Sequence, residues 1–315
     1  MAHAIGVDLG GTKTAAGVVS EDGELLFSQT APTPSRAGGE AVLDATAALV
    51  AGLRVRAQAE GLSIAGVGVG SAGVIDAGRG VVVSATDAIH GWAGTALTDG
   101  LAGRLGLPPE AVSAVNDVHA HALGESWRGA AAGTASSLLI AFGTGVGGSF
   151  VLAGRPVLGH RYVGGHVGHT ASPYAYADGK DGKALPCSCG GSGHVEAAAS
   201  GPAIHAAFLR LGGSRAVPDT RAVFTLARDG DPAANRAVHT AAEAAGQAAG
   251  GLVNVLDPEV LVVSGGLADA GELWWKPMKA ALRRELLDPL VRVPVLRASL
   301  ANSAAIVGAG RLVFN

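Results

Sequence analysis

One pattern occurs twice in this chain: an apolar run enters a glycine-rich turn, and a second apolar run leaves it. The first copy spans 5–19 around Gly10-Gly11, and the second spans 136–151 around Gly143-Thr144-Gly145. Each copy predicts a strand, a tight turn and a second strand. Two such copies in one chain predict a duplicated βββα core with a cleft between its halves.

The first turn has the residue types of a phosphate site. Gly10 and Gly11 let backbone N–H groups approach an anion, and Thr12 adds a hydroxyl donor. Asp8, at the mouth of the turn, suits a hydrated divalent cation that is bound together with phosphate. The second turn predicts a matching phosphate contact in which Thr144 is the partner of Thr12. An ordinary hairpin with a Gly-Gly turn is the alternative for the first stretch.

The second turn also fits the dinucleotide pattern G-x-G-x-x-G at 143–148. That interpretation is disfavoured, because the next residues predict a strand and no Asp or Glu occurs from 143 to 177 to hold a ribose. A P-loop is excluded, because the chain has no G-x-x-x-x-G-K-[ST] sequence. Gly265 and Gly266 follow a third apolar strand and predict a turn that could pass close to an adenosine.

Hydrophobic spacing outlines the rest of the chain and leaves 152–193 irregular. The predicted helices are 41–60, 117–127, 194–211, 233–255, 272–285 and a closing helix from about 303. The predicted strands outside the two repeats are 64–70, 112–115, 260–264 and 293–296.

Length and composition limit the classes of protein to which the chain can belong. Its 315 residues suit two domains, and 48% hydrophobic residues can form a large core. A net charge of -3 argues against nucleic acid as a partner. The chain has no uninterrupted 18-residue apolar run and no basic-then-apolar start, so we expect a cytoplasmic protein with no membrane partner.

Asn116 and Asp117 follow an apolar strand and open a predicted helix. Phosphoryl transfer needs positioning, charge neutralisation and one carboxylate near the attacking oxygen. Asp117 is therefore a candidate general base that takes a proton from a sugar hydroxyl, while Asn116 holds a neighbouring hydroxyl. The alternative is that Asp117 simply caps the helix N-terminus.

His169, Cys187, Cys189 and His194 form a candidate metal site, in which the last three have the spacing C-x-C-x4-H. Two thiolates and two imidazoles make a closed tetrahedral zinc site, which indicates a structural role. A disulfide between cysteines one residue apart would be strained and is rare in the cytosol, so metal binding is favoured. Inert free thiols are the alternative.

These motifs, in this order along the whole chain, resemble those of the ROK family of sugar kinases and related repressors. The stretches that carry the resemblance are Asp8-Leu9-Gly10-Gly11-Thr12-Lys13, Gly70-Ser71-Ala72-Gly73-Val74-Ile75-Asp76, Asn116-Asp117, Gly143-Thr144-Gly145-Val146-Gly147-Gly148, Gly168-His169, Cys187-Ser188-Cys189-Gly190-Gly191-Ser192-Gly193-His194-Val195-Glu196, Ser200-Gly201 and Ser264-Gly265-Gly266.

The resemblance implies an α/β fold of the duplicated actin-like ATPase (ribonuclease H-like) type, with two domains and an interdomain cleft. The smaller N-terminal domain is expected at 1–117 plus about 301–315, and the larger C-terminal domain, with the zinc-binding loop, at 118–300. ATP and Mg²⁺ are expected in the cleft, with transfer of the γ-phosphoryl group to a hexose O6. The family commonly forms dimers, so a homodimer is expected.

The resemblance also assigns roles to single residues. It makes Asp117 the base and makes Asn116, His169 and Glu196 sugar contacts, with His169 binding zinc through its other ring nitrogen. The expected ATP and phosphate contacts are Asp8, Gly10, Gly11, Thr12, Lys13, Gly143, Thr144, Gly145, Gly265 and Gly266. The family's repressors carry a DNA-binding helix-turn-helix before the first phosphate turn. Only seven residues precede Asp8, which favours the kinase branch.

Three departures from the family pattern concern the sugar and the metal. His166 replaces a glutamate that binds a sugar hydroxyl, so a group that can donate, accept or carry positive charge replaces an anionic acceptor. A harmless replacement facing solvent is the alternative. His194 replaces the usual third cysteine, which zinc tolerates. Asp87 stands where an asparagine often precedes Gly91-Trp92, and its carboxylate could pair with a substrate amine.

The phosphate side of the pattern is intact, which predicts a working kinase with an altered sugar preference. The expected activity is ATP-dependent, glucokinase-like phosphorylation of the O6 hydroxyl of glucose or a close relative. An amino-sugar 6-kinase acting on kanosamine, N-acetylglucosamine or N-acetylmannosamine is the alternative that His166 and Asp87 favour. A non-catalytic sugar-sensing regulator is the alternative from another class, and Asp117 and the two intact phosphate turns argue against it.

Overall fold

The computed structural model describes residues 1–176 and 182–314, and it divides into two compact units. Unit 1 comprises 1–135, 149–164 and 299–315, and unit 2 comprises 136–148 and 165–298. Residues 177–181 of the larger predicted domain and Asn315 of the smaller one lie outside the described residues. No described helix is both long enough and apolar enough to cross a bilayer.

The strands, in chain order, are β1 (His3–Leu9), β2 (Lys13–Ser20), β3 (Leu25–Pro32), β4 (Ile64–Ser71), β5 (Val74–Asp76), β6 (Val81–Ser84), β7 (Val112–Asn116), β8 (Ser136–Phe142), β9 (Val146–Leu152), β10 (Arg155–Pro156), β11 (Val260–Ser264) and β12 (Val295–Arg297). The helices are α1 (Gly39–Ala59), α2 (Leu97–Leu105), α3 (Asp117–Arg128), α4 (Glu196–Ala199), α5 (Gly201–Arg210), α6 (Thr220–Arg228), α7 (Pro232–Leu256), α8 (Glu272–Glu285) and α9 (Ala304–Arg311).

The two sheets share the local arrangement that the sequence repeat predicts. The first has the strand order β3-β2-β1-β4-β7, and the second has the order β10-β9-β8-β11-β12. In both, the strand that enters the glycine turn lies between the strand that leaves it and a parallel third strand, β4 in one sheet and β11 in the other. The duplicated strand-turn-strand unit is therefore confirmed.

Helix α9 returns the chain to unit 1, where it packs against β1, β4 and α3. The approach is close enough that a Cβ atom at Gly68 of β4 would lie only 1.8 Å from the carbonyl oxygen of Ala309. Any side chain at position 68 would push the helix off the sheet. The packing of α3 on α9 also explains why α3 belongs to unit 1, whereas the sequence analysis expected a domain boundary between 117 and 118, after the first residue of this helix.

The structure corrects one predicted helix and adds elements that the hydrophobic spacing did not predict. The single helix expected at 194–211 is broken into α4 and α5, because Ser200 has an extended backbone with φ -80° and ψ 164°. Its hydroxyl accepts a hydrogen bond from the backbone N–H of Ala203 and so caps α5. Helices α2 and α6 and the β5-β6 hairpin are the additional elements.

Candidate active site

In unit 1, the first glycine turn is fixed by the segment that follows β3. The hydroxyl of Thr33 donates to the carbonyl oxygen of Gly10 at 2.8 Å, and the N–H of Thr33 donates to the carbonyl of Thr12 at 3.0 Å. The N–H of Gly10 closes the turn on the carbonyl of Lys13 at 3.1 Å. The carbonyls named above therefore accept hydrogen bonds from within the protein, while the side chains of Thr12 and Lys13 are exposed.

Two carboxylates meet at one edge of the first sheet. Asp8 in β1 lies opposite Gly70 in β4, and Gly70 lies opposite Val115 in β7, two residues before Asp117. The pKa of Asp8 is raised to about 6, chiefly by burial and then by the negative charge of Asp117, while the positive charge of Lys13 partly opposes the rise. Two carboxylates that repel each other beside a phosphate turn suit a divalent cation, which would relieve the repulsion.

Asn116 caps helix α3. Its Oδ1 accepts from the backbone N–H of Val118 at 3.0 Å, and its Nδ2 donates to the carbonyl of Gly73 at 2.9 Å. Asp117 is the first residue inside α3, and one of its carboxylate oxygens also accepts from Val118, at 2.8 Å. The cap position therefore belongs to Asn116, and this residue also ties α3 to the loop after β4.

The segment around Asp87 lies beside the first turn. A Cβ atom at Gly11 would be 2.9 Å from the carbonyl oxygen of Ala88, so the two backbones are in close contact. Trp92 anchors the segment, because its buried indole N–H donates to the carbonyl of Ala72 at 3.1 Å. The side chain of Asp87 is exposed.

The raised pKa of Asp8 predicts a pH-dependent stability that the Asp8→Asn variant reveals. The neutral carboxyl is favoured in the folded state, so the stability that Asp8 contributes to wild type is lost as pH rises from about 4 through about 6. Asp8→Asn should therefore be more stable than wild type by up to about 2–3 kcal/mol at pH 8 and nearly equal to it at pH 4. Urea unfolding of both proteins without nucleotide or Mg²⁺ at each pH measures this. A constant difference at all pH values would contradict the raised pKa.

In unit 2, the second glycine turn lies next to the turn at Gly265-Gly266. The N–H of Gly143 donates to the carbonyl of Gly145 at 2.9 Å, and Thr144 is exposed at the tip. A Cβ at Gly143 would lie 3.8 Å from the backbone nitrogen of Gly266. The structure thus brings together the two turns of this unit that the sequence analysis assigned to the nucleotide.

A cavity of about 710 Å³ opens beside these two turns. Its wall includes Thr144 and Gly266 and, from α6, Arg221, Phe224, Thr225 and Arg228.

The sequence analysis missed α6, although a signal for it exists. Asp219 caps the helix by accepting from the N–H of Ala222 at 2.9 Å, and an Asp before apolar residues at helical spacing is a helix start signal.

The four predicted metal ligands converge in unit 2. Their ligand atoms all lie within 4.8 Å of one another, and both cysteines are free thiols. Sγ of Cys187 is 3.5 Å from Nδ1 of His169, and Sγ of Cys189 is 3.3 Å from Nδ1 of His194. Sulfur and nitrogen ligands of a tetrahedral zinc lie about 3.6 Å apart. The donor set and its spacing therefore fit zinc.

Two further predicted sugar contacts lie near this cluster. His166 is exposed, and its ring centroid is 6.1 Å from that of His169. Glu196 begins α4, and its Oε2 accepts from the backbone N–H of Val146 at 2.8 Å. The predicted site residues therefore form two groups: Asp8 to Lys13, Asp87, Asn116 and Asp117 lie in unit 1, and the others lie in unit 2.

The sequence was compared with models of protein families, and the family model described as "ROK family" matches residues 4–315. The chain belongs to the ROK family. The duplicated actin-like ATPase fold that the motifs implied is confirmed by solved ROK structures. A ROK hexokinase from Thermus thermophilus superimposes with a TM-score of 0.84 at 35% identity, covering 98% of this chain and 96% of that chain.

Other ROK relatives are similar over nearly their whole length. The glucokinase of Streptomyces coelicolor is 34% identical, covering 99% of this chain and 98% of that protein. A ROK glucokinase from Streptomyces griseus, solved in complex with glucose and AMPPNP, is 35% identical with a TM-score of 0.75 and covers 98% of both chains. The N-acetylmannosamine kinase of Shigella boydii is 31% identical, covering 98% of this chain and 97% of that protein.

Proposed function

We propose that this ROK protein is an ATP-dependent hexose kinase that phosphorylates the O6 hydroxyl of glucose or a close relative. It is a sugar kinase, as are the two glucokinases from Streptomyces described above. The observation that carries the proposal is the pair of carboxylates, Asp8 and Asp117, at the edge of the first phosphate turn. The bound glucose and AMPPNP of the Streptomyces griseus glucokinase support the choice of substrates.

The chemistry follows from these positions. Asp117 takes the proton from O6 as that oxygen forms a bond to the γ-phosphorus, and the bond from this phosphorus to the bridging oxygen breaks with its electron pair going to ADP. Thr12 and Thr144, with the glycines of their turns, hold phosphate oxygens. Mg²⁺, when bound, neutralises charge on the phosphates, and Asp8 would hold it, with Lys13 adding positive charge.

The cavity in unit 2 is the proposed site of the nucleotide. It adjoins the turns at Thr144 and Gly266, so a donor whose phosphates contact the Thr144 turn could extend its adenosine into it. Arg221 and Arg228 line the wall and supply positive charge. A cavity of this size favours a nucleotide over polyphosphate as donor, because a bare phosphate chain leaves it unfilled.

The sugar side has a second candidate, an amino-sugar kinase. The exposed carboxylate of Asp87 beside the first turn could pair with a substrate amine. His166 takes the place of the glutamate that serves the family as an anionic acceptor. The similarity to an N-acetylmannosamine kinase supports the same alternative. Asn116, His169 and Glu196 are the proposed contacts to sugar hydroxyls.

A kinase panel tests these proposals together. Glucose, mannose, N-acetylglucosamine, N-acetylmannosamine and 3-amino-3-deoxyglucose are each offered with ATP or polyphosphate, and ADP or phosphorylated sugar is measured. We expect turnover with ATP and glucose.

His166→Glu should raise kcat/KM for glucose relative to the amino sugars by about tenfold, the size of one added charged hydrogen bond. Sugar binding without any turnover would instead identify a non-catalytic sensor.

Three further properties belong to the proposal. His169, Cys187, Cys189 and His194 hold one structural zinc, which is supported by their spacing and by the free state of both thiols. The resemblance to the family supports a homodimer, and the need for ATP supports action in the cytoplasm. No nucleic-acid partner is proposed, because the net charge is -3.

A further inference from the structure

We propose that Glu196 is a positioning residue that connects the second phosphate turn (143–145) to the metal-binding loop (187–194). How well ordered this loop is would then set the affinity for the phosphoryl donor. The inference rests on the proposed function in taking 143–145 as a donor contact. It goes beyond a sugar contact at Glu196, because it gives the same carboxylate a role toward the donor.

One oxygen of the Glu196 carboxylate holds the end of the turn. Oε2 accepts from the N–H of Val146, the residue directly after the turn, at 2.8 Å. A Cβ atom at Gly145 would lie 2.7 Å from this oxygen, which is closer than a real contact allows. Glycine at position 145 is therefore needed for the carboxylate to approach, apart from any need that phosphate binding imposes.

The other oxygen of Glu196 faces the metal-binding loop. Oε1 accepts from the hydroxyl of Ser188, which stands between the two cysteine ligands. Sγ of Cys187 is 3.9 Å from the same oxygen. The carboxylate therefore bridges the loop that would hold zinc and the turn that would hold phosphate, with one oxygen on each.

A second connection runs through the backbone of the same segment. Two residues after the metal ligand His194, Glu196 begins α4, and Ser200 then caps α5. The N–H of Gly201, in the first turn of α5, donates to the carbonyl of Gly143 at 2.8 Å. Both ends of the second phosphate turn are thus held by the segment that starts at the metal site.

The expected consequence is a dependence of donor binding on the metal. Structural zinc supplies much of the energy that orders a short cysteine and histidine loop. Without that order, Ser188 no longer fixes Oε1 of Glu196. The carboxylate then gains freedom, and the N–H groups of the turn lose the fixed orientation that binding of phosphate oxygens requires. Donor affinity should fall although no residue that contacts the donor has changed.

The test measures binding of AMPPNP with Mg²⁺ by calorimetry in the absence of sugar, so that the proposed sugar contact of Glu196 does not contribute. Wild type is first assayed for metal, and about one zinc per chain is expected. We expect Glu196→Ala, or removal of zinc from wild type with 1,10-phenanthroline, to weaken binding by about tenfold, the size of one lost hydrogen bond to a charged group. Glu196→Gln, which keeps an acceptor for Val146, should retain most of the affinity.

The decisive comparison is the combination of the two changes. If Glu196 is the main connection, removing zinc weakens binding much less in Glu196→Ala than in wild type, because only the backbone connection through Gly201 is left to lose. Independent effects would multiply in full and overturn the proposal. Ser188→Ala keeps all four metal ligands and should reproduce part of the loss with zinc still bound. Unchanged affinity in both Glu196→Ala and Ser188→Ala also overturns it. Failure of wild type to bind AMPPNP would instead contradict the proposed function.

Discussion

Replacement of Asp117 by asparagine is expected to lower kcat by about 10²–10⁴-fold, the range that a positioned general base contributes. Asparagine keeps the size of the side chain and an oxygen that can accept from the N–H of Val118, which is 2.8 Å from the carboxylate in the structure. Asn116 still caps α3, so the helix does not depend on the replaced residue. What the variant loses is the ability to take a proton from O6.

The measurement is steady-state phosphorylation of glucose, together with AMPPNP binding and thermal unfolding of the same variant. AMPPNP affinity should change far less than kcat, because the proposed role of the carboxylate is on the acceptor. Asp99→Asn is the matched control, since Asp99 is an exposed aspartate in the first turn of another helix of unit 1, α2. It should leave kcat unchanged. Activity of a tenth or more of wild type in Asp117→Asn would show that another group is the base.

Replacement of Glu125 by alanine should destabilise the protein by about 3 kcal/mol or more. Glu125 lies in α3 and is 1% exposed. Its carboxylate accepts from the backbone N–H groups of Ala130, Ser299 and Leu300 at 2.8 to 3.1 Å, and from the hydroxyl of Ser299. Alanine would remove all of these hydrogen bonds, and a hydrogen bond to a charged group contributes about 1.5–3 kcal/mol.

Urea unfolding followed by circular dichroism measures this effect. Glu60→Ala is the control, because Glu60 is the exposed partner of Arg56 at the end of α1, and exposed ion pairs contribute about 0–1 kcal/mol. A Glu125→Ala variant as stable as the control would mean that water replaces the carboxylate at little cost. Stability that depends only weakly on Glu125 would also mean that α9 is held by its packing alone.

The local features of the site were predictable from sequence because they depend on neighbouring residues. The turns at Gly10-Gly11 and Gly143-Thr144-Gly145 combine glycine with flanking apolar runs, and the structure forms hairpins there. The four proposed metal ligands come from two nearby stretches, and three of them lie within eight residues. Spacing alone therefore limited how far apart their ligand atoms could lie.

Other features depend on tertiary contacts that no local pattern contains. The break at Ser200 is invisible to helical periodicity, because Val195, Ala199 and Ile204 are apolar and buried on both sides of it. Asn116 caps α3 through a local hydrogen bond, but its second hydrogen bond, to the carbonyl of Gly73, joins it to a residue far away in the sequence. The two contacts of Glu196 depend on the folded paths of β9 and the metal-binding loop, which are far apart in sequence from each other.

The position of α9 has a consequence for how the chain folds during synthesis on the ribosome. This helix is made after all the strands that it covers, yet it supplies Ile306 and Ala309 to the core beneath β2 and β7. Until residues 304–311 emerge, Gly6 and Gly68 lack the helix backbone that packs against them, although α3 already packs on the same sheet at Gly70. Synthesis of unit 2 is complete at residue 298, so unit 2 can fold before the last helix of unit 1 has been synthesised.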